Sequence, residues 1–66
     1  MAVLKVIEIL SNSDKSWEDA TIKAVKHIAK SVKNIKSVYV QDQSAIVKND
    51  EVTEFRVNLK ITFEVN

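Results

Sequence analysis

One stretch constrains this chain more than any other. Phe55, Val57, Leu59, Ile61, Phe63 and Val65 alternate without a break with Glu54, Arg56, Asn58, Lys60, Thr62 and Glu64. A side-chain period of two belongs to a β-strand with one dry face and one polar face. The turn pair Asn49-Asp50 stands just upstream, so the strand is predicted over Glu51 to Val65. Extended, that segment spans roughly 50 Å. A compact domain of 66 residues has a radius of gyration of about 11 Å and a diameter near ~28 Å. A flat strand of this length does not fit inside such a domain. It has to curl around whatever it packs on, project into neighbours, or both.

The rest of the chain supplies three further elements. Val3 to Leu10 is rich in Val, Ile and Leu, is bounded by Ser11-Asn12-Ser13-Asp14, and reads as a mostly buried strand. Ser16 followed by Asp19 has capping-box spacing. Beyond it Trp17, Ala20, Ala24, Val25, Ile28, Val32 and Ile35 recur at helical intervals, with Lys30 and Lys33 near the end where cations suit the helix dipole. A helix is therefore expected from Ser16 to Asn34. Lys36 to Val47 is rich in β-branched residues and reads as a strand paired to the last one through Asn49-Asp50, two residue types that tolerate positive φ. A two-residue hairpin pairs positions whose numbers sum to about 99. That register puts Val38, Val40, Ser44 and Ile46 on the dry face, with Asp42 an odd member that a bulge would resolve. It puts Ser37, Tyr39, Gln41 and Gln43 with Arg56 and Lys60 on the polar face. The order is β-α-β-β, an α+β chain forming a single domain over residues 1–66.

So small a core is marginal without added support. The chain has no Cys, which removes disulfides and thiolate metal sites, so assembly is the stabiliser that remains. It also has no Gly, which removes the P-loop, the dinucleotide fingerprint and the usual EF-hand loop. No apolar run is long enough for a membrane span and no signal-peptide pattern is visible, so a soluble, cytoplasmic protein is expected. A net charge of +1 demands neither nucleic acid nor membrane as partner. Lys23, Lys26, Lys30, Lys33 and Lys36 have no aromatic side chains between them and read as a solvated helix face rather than a nucleic-acid site.

Candidate functional residues fall in three groups. Trp17, in the first helical turn, is expected in the core or at a subunit contact, as are Phe55 and Phe63. The polar sheet face, with Ser37, Tyr39, Gln41, Gln43, Arg56, Asn58 and Lys60, is either a contact surface or a ligand pocket closed by a neighbouring subunit. Arg56, a planar bidentate donor, suits Glu54, Glu64 or a ligand carboxylate or phosphate, with a structural ion pair the expected use. His27 stands alone and does not make a zinc or copper site within one chain. Asp42, Glu54 and Glu64 are candidates for a hard cation such as calcium or magnesium, gathered about a symmetry axis. No nucleophile stands beside a base, so no enzyme is expected.

Several segments together carry a family likeness: Val6-Ile7-Glu8-Ile9, Ser13, Ser16-Trp17-Glu18-Asp19-Ala20, Asn34-Ile35-Lys36, and Glu54 to Phe63. In this order and spacing the sequence resembles the dodecins over nearly its whole length. The resemblance implies a three-stranded antiparallel sheet wrapped around one helix, and twelve subunits built from trimers into a hollow homododecamer. It also implies storage or sequestration of riboflavin or FMN without enzymatic turnover. The flavin-stacking Trp of that family falls on Ser37 and its edge-binding Gln on Arg56. Its Arg positions fall on Ser44 and Glu64, and its loop Gly on Ser11, so that by family position the ligand-binding candidates are Ser37, Tyr39, Gln41, Ser44 and Arg56. Relatives without the stacking Trp resemble calcium-associated dodecins, which share the Ser-Trp-Glu helix start and the Arg of the last strand. The alternative is thus a flavin-free shell that binds divalent cations or is chiefly structural.

Overall fold

A computed structural model describes residues 2–65. Its elements are β1 (Val3–Ser13), α1 (Trp17–Ile28), β2 (Ile35–Lys48) and β3 (Glu51–Val65). They form one antiparallel sheet in the order β1-β3-β2, with the helix on one face. The strand with the clean alternation is the central one and has the bounds expected of it. Among the described residues no helix is long and apolar enough to cross a membrane.

The helix begins where the capping residues place it. Ser16 is extended at φ −168°, and its Oγ accepts the Asp19 N–H at 2.9 Å. The reciprocal half of the box is altered. The Asp19 carboxylate accepts from the Ser13 hydroxyl at 2.6 Å, and Ser13 Oγ takes the Lys15 N–H at 2.9 Å. The Ser13 hydrogen bond first, then Lys23 at 3.1 Å, hold the Asp19 carboxyl below its ordinary pKa.

The helix stops at Ile28, not at Asn34. Val32 N–H still reaches Ile28 O, but Lys30 and Ser31 bond to residues three back, His27 O and Ile28 O, in the manner of a 3₁₀ turn. The Ser31 hydroxyl also bonds Ile28 O, at 3.4 Å, and Asn34 turns the chain with φ 61°. Val32 and Ile35 keep helical spacing in sequence, yet Ile35 already belongs to β2. At the other end of the helix, Ser11-Asn12-Ser13 extends β1 instead of forming a loop. These residues pair with Val57, Arg56 and Phe55, and the Ser11 hydroxyl donates to Ala20 O at 2.8 Å.

The core is narrow. Val57, Leu59 and Ile61 of β3 are fully buried, and Ala20 and Ala24 roof Val57 and Leu59 with methyl groups that let the helix approach closely. Ile9, Trp17 and Val38 pack around this cluster. The helix lies mainly over β1 and β3 and barely touches β2. Trp17 meets Phe55 edge to face at 5.1 Å and donates its Nε1–H to Ser44 O at 2.8 Å. Both of its attractive groups are thus engaged at the edge of the core. Phe63 is half-buried at the opposite end of β3.

The sheet does not curl enough to become compact. The molecule measures 50 × 20 × 13 Å with a radius of gyration of 13.5 Å. The β2–β3 hairpin projects past the helix, and at its tip Val47 and Val52 are 59% and 54% exposed. Asn49 and Asp50 both take positive φ, 52° and 64°, as a two-residue turn of the twist-matching type requires.

The hairpin register departs from the simple one. It follows the expected pairing at Lys48–Glu51 and Val47–Val52, slips by one with Thr53 left over, and returns at a bulge that leaves Gln41 over. A one-residue slip exchanges the two faces of a strand. Between the two irregularities Gln43 and Ala45 therefore sit opposite Val57 and Phe55 on the helix side, while Asp42, Ser44 and Ile46 sit opposite Asn58, Arg56 and Glu54 on the other. The dry-face placement of Ser44 and Ile46 and the polar-face placement of Gln43 are corrected accordingly. The bulge beside Asp42 removes its anomaly, because Asp42 lies on the polar face.

Candidate functional site

The side of the sheet away from the helix has no covering layer among the described residues. Strand alternation places its residues in rows across β1, β3 and β2. In order they are Leu4–Glu64, Val6–Thr62–Ser37, Glu8–Lys60–Tyr39, Leu10–Asn58–Asp42, Asn12–Arg56–Ser44 and Glu54–Ile46. The β1 margin is apolar, with Leu4, Val6 and Leu10 all exposed, and the centre and β2 margin are polar. An exposed apolar margin beside organised polar groups is the composition of a contact surface.

Four of the five residues singled out as ligand-binding meet on this face. Ser37 and Tyr39 lie in neighbouring rows, and Tyr39 is 65% exposed. Ser44 and Arg56 are direct cross-strand partners. Gln41 is the extra residue of the bulge and has no opposite number on β3.

Arg56 does not form the expected ion pair. Its Nε–H donates to Asn12 Oδ1 at 2.9 Å, and Asn12 Nδ2 donates in turn to Glu54 Oε1 at 3.5 Å. Asn12 thus separates the two charges. The reason is the pairing itself. Glu54 and Arg56 are successive same-face residues of one strand, and Asn12 stands directly across from Arg56. Among the described residues the ion pairs are Lys23–Asp19 and Lys36–Glu64, the latter at 3.6 Å.

The three cation candidates share this face but not one place. Asp42, Glu54 and Glu64 fall in different rows, and Glu64 is engaged by Lys36. Among the described residues no three His, Asp or Glu side chains gather within one chain. A residue outside the sequence candidates is better placed. Asn58 Oδ1 is buried and has no hydrogen-bond partner among the described residues. Asn58 lines a shallow cleft of about 440 Å³ with Glu8, Ile9 and Leu10, and Asp42 stands opposite it on β2. Asn58 is legible in sequence as a polar-face residue, but its unmet hydrogen bond is not.

A narrow helix-on-sheet protomer with an open, organised sheet face defines a small β-α-β-β protein whose second sheet surface is available to copies of itself or to a ligand. Comparison with known proteins gives the class its name. The dodecin family profile matches residues 3–66, and the chain belongs to that family. The calcium dodecin of Mycobacterium tuberculosis is 34% identical over 65 residues, spanning 98% of this chain and 92% of the relative. A crystal structure of that protein, described as a calcium-chelating antigen with a novel calcium-binding site, matches with a TM-score of 0.85 and 33% identity. The match covers 97% of this chain and 91% of that one. The Streptomyces coelicolor dodecin matches with a TM-score of 0.94 at 18% identity, covering 98% and 93%. A T. thermophilus dodecin variant gives 0.93 at 21%, covering 100% and 98%. These last two likenesses establish the fold alone.

Proposed function

We propose that this dodecin is a self-assembling protein that binds and stores a small ligand on the open sheet face, between copies of the chain, without turning it over. The dodecamer of trimers implied by the resemblance is the assembly that fits this reading. The open face is large, its apolar margin is exposed, and a 50 Å sheet extends beyond the helix at the hairpin end.

The ligand class that the geometry supports best is a hard divalent cation, calcium before magnesium. The observation that carries it is the orphaned Asn58 Oδ1 beside Asp42 and Glu8. Calcium takes about six to eight oxygens, carboxylate and amide among them. The oxygens of one chain fit its chemistry in type but fall short in number, so a second copy has to complete the set. The calcium dodecin at 34% identity supports the same choice.

Flavin is the second reading, carried by Tyr39. It is the exposed aromatic residue of this face, one row from Ser37, and Arg56 with Ser44 offers donors further along. One ring of this kind gives a planar ligand roughly 1–3 kcal/mol of stacking. That predicts weaker binding than a face with a Trp at position 37.

Parallel titrations test both. Under the cation reading, calcium raises the melting temperature in the low-micromolar to millimolar range, magnesium does so less, and Asp42→Asn weakens the effect. Under the flavin reading, riboflavin fluorescence is quenched to saturation whether or not calcium is present. A protein that sediments as a monomer at micromolar concentration refutes the assembly on which both depend.

A further inference from the structure

The helix leaves a gap on one flank. It packs on β1 and β3 and barely touches β2. Between α1 and β2 lies a cleft of about 310 Å³, lined by Trp17, Glu18, Thr21 and Ile22 of the helix and by Val40 and Gln43 of β2. Helical spacing builds the first wall, because Trp17–Thr21 and Glu18–Ile22 are i, i+4 pairs on one flank. The register slip builds the second. Val40 stands opposite buried Leu59 and Gln43 opposite buried Val57, so both belong to the helix side. In the simple register Gln43 would face away from the helix.

The chemistry of the walls selects the sign of a ligand. Ile22 and Val40 are exposed apolar side chains, and Trp17 adds a half-buried indole. The two donors best able to receive an anion are already committed. Trp17 Nε1–H donates to Ser44 O at 2.8 Å, and the Thr21 hydroxyl donates to Trp17 O at 3.0 Å. What remains is mainly accepting: the Thr21 oxygen lone pairs, the Gln43 side-chain carbonyl and the Glu18 carboxylate. Glu18 is the one charge among the described residues of these walls. It has no ion-pair partner among the described residues, whereas the adjacent Asp19 pairs with Lys23. The residue four positions on from Glu18, where a lysine would neutralise it, is Ile22. An indole beside a carboxylate attracts an ammonium group, and Trp is the strongest of the aromatic partners. The Nε1–H bond and the edge-to-face contact with Phe55 at 5.1 Å hold this ring in place, so little of it has to be ordered on binding.

We propose that this cleft binds a small organic ammonium ion, an amine carrying one ring or a short alkyl chain. The ammonium group lies against the Glu18 carboxylate and the Trp17 indole, with the Gln43 carbonyl as a further acceptor. The apolar part of the ligand covers Ile22 and Val40. The volume sits at the lower limit for small-molecule pockets, about 300 Å³, which matches such an amine rather than a nucleotide. A calcium ion is a poorer occupant, because the walls offer too few oxygens for its coordination shell and it leaves the apolar surface uncovered. The cleft is on the helix side of the sheet, opposite the open face. The inference therefore does not depend on the calcium or flavin reading of that face.

Trp17 is the single tryptophan of the chain, so its emission reports this cleft directly. Phenethylammonium chloride is titrated into the full chain at fixed ionic strength. Neutral phenethyl alcohol and anionic phenylacetate, of nearly the same shape, are titrated beside it. The ammonium is expected to change Trp17 emission saturably, with a roughly millimolar or tighter dissociation constant, at least about fivefold tighter than the alcohol. Phenylacetate is expected to give no saturable change. Glu18→Gln, at an exposed position, is expected to remove the advantage of the ammonium and leave the alcohol unaffected. Gln43→Glu adds a second carboxylate and is expected to tighten the ammonium at least about threefold, a gain that a misfolded variant does not produce. The absence of a saturable response, as a cleft covered by another copy of the chain would give, overturns the proposal. So does an alcohol that binds as tightly as the ammonium, or a Glu18→Gln variant that binds the ammonium like the wild type. Calcium chloride that reproduces the ammonium response overturns it as well, since the response then reports charge attraction alone.

Discussion

Leu59→Ala is the most direct test of where the stability of this protomer resides. Leu59 is fully buried at the centre of β3, between Ile9 of β1 and Val40 of β2, beneath the helix. Truncation removes its apolar surface and leaves a cavity whose cost depends on how far the walls collapse. Here they collapse little. The roof consists of Ala20 and Ala24, which have no longer side chain to swing inward, and hydrogen-bonded ladders on both sides fix the floor. The expected loss therefore lies in the upper half of the range for buried Leu→Ala, about 3–5 kcal/mol. A chain of 66 residues has a total stability of only about 3–10 kcal/mol. Each kcal/mol moves the melting point of such a domain by roughly 4–8 °C, so a fall of more than about 12 °C is expected. Assembly adds stability by mass action, and the melting point of the variant should therefore rise with protein concentration. Far-UV circular dichroism melts at two concentrations about tenfold apart read both quantities. A fall of less than about 4 °C refutes the placement of the core at Leu59. A melting point independent of concentration refutes the dependence of this thin core on neighbouring copies.

Three further outcomes are expected. Asp19 has a folded pKa below its ordinary value of 3.8, so its stabilising contribution is complete above that pH and is lost as pH falls through the folded value. Asp19→Asn should therefore flatten the acid limb of the stability–pH curve below about pH 4, and an unchanged limb in urea titrations would refute the Ser13–Asp19 assignment. Asp50→Gly, at φ 64° in the turn, should stabilise the hairpin by roughly 0.5–1 kcal/mol, read as a higher urea midpoint. Ser37→Trp places a large ring on the open face and should tighten riboflavin binding at least about tenfold in a fluorescence titration. No change there would refute the alignment of position 37 with the ligand.

The legible and illegible parts of this chain differ for physical reasons. β3 was readable because a central strand between a dry core and a polar face is forced into strict alternation, and Phe55 to Val65 obeys it. The start of the helix was readable because caps are local chemistry. Its end was not, because Val32 and Ile35 preserve the apolar spacing while the Ser31 hydroxyl and the positive φ of Asn34 terminate it. Ser11-Asn12-Ser13 has loop composition, yet pairing with Val57, Arg56 and Phe55 makes it strand. The face of β2 was the least readable feature. Gln41 to Ser44 is polar throughout, so nothing in its pattern reveals a slip that turns Ser44 outward and Gln43 inward. Ser37, Tyr39 and Arg56 reached the correct face because they lie outside the slipped stretch or on β3 itself. Asn58 was placed on that face without being recognised as the oxygen without a partner, since hydrogen-bond satisfaction is a property of three strands together.

The shortened helix strengthens the case for assembly. A helix from Ser16 to Asn34 would be roughly 28 Å long at 1.5 Å per residue, enough to cover more than half of a ~50 Å strand. The observed helix of 12 residues covers roughly 18 Å. What lies beneath it are the fully buried Val57 and Leu59, and what lies beyond it is the exposed Val47–Val52 tip and the half-buried Phe63. A monomeric protein would be expected to match the length of its sheet to its cover, or to place charge on the uncovered apolar positions. This chain does neither. It keeps valines at the tip, Leu4, Val6 and Leu10 on the open face, and a 50 Å sheet under a short helix. Cover for those surfaces has to come from outside the protomer. A ligand the size of a metal ion cannot supply it, which leaves other copies of the chain as the cover and the ligand as a guest between them.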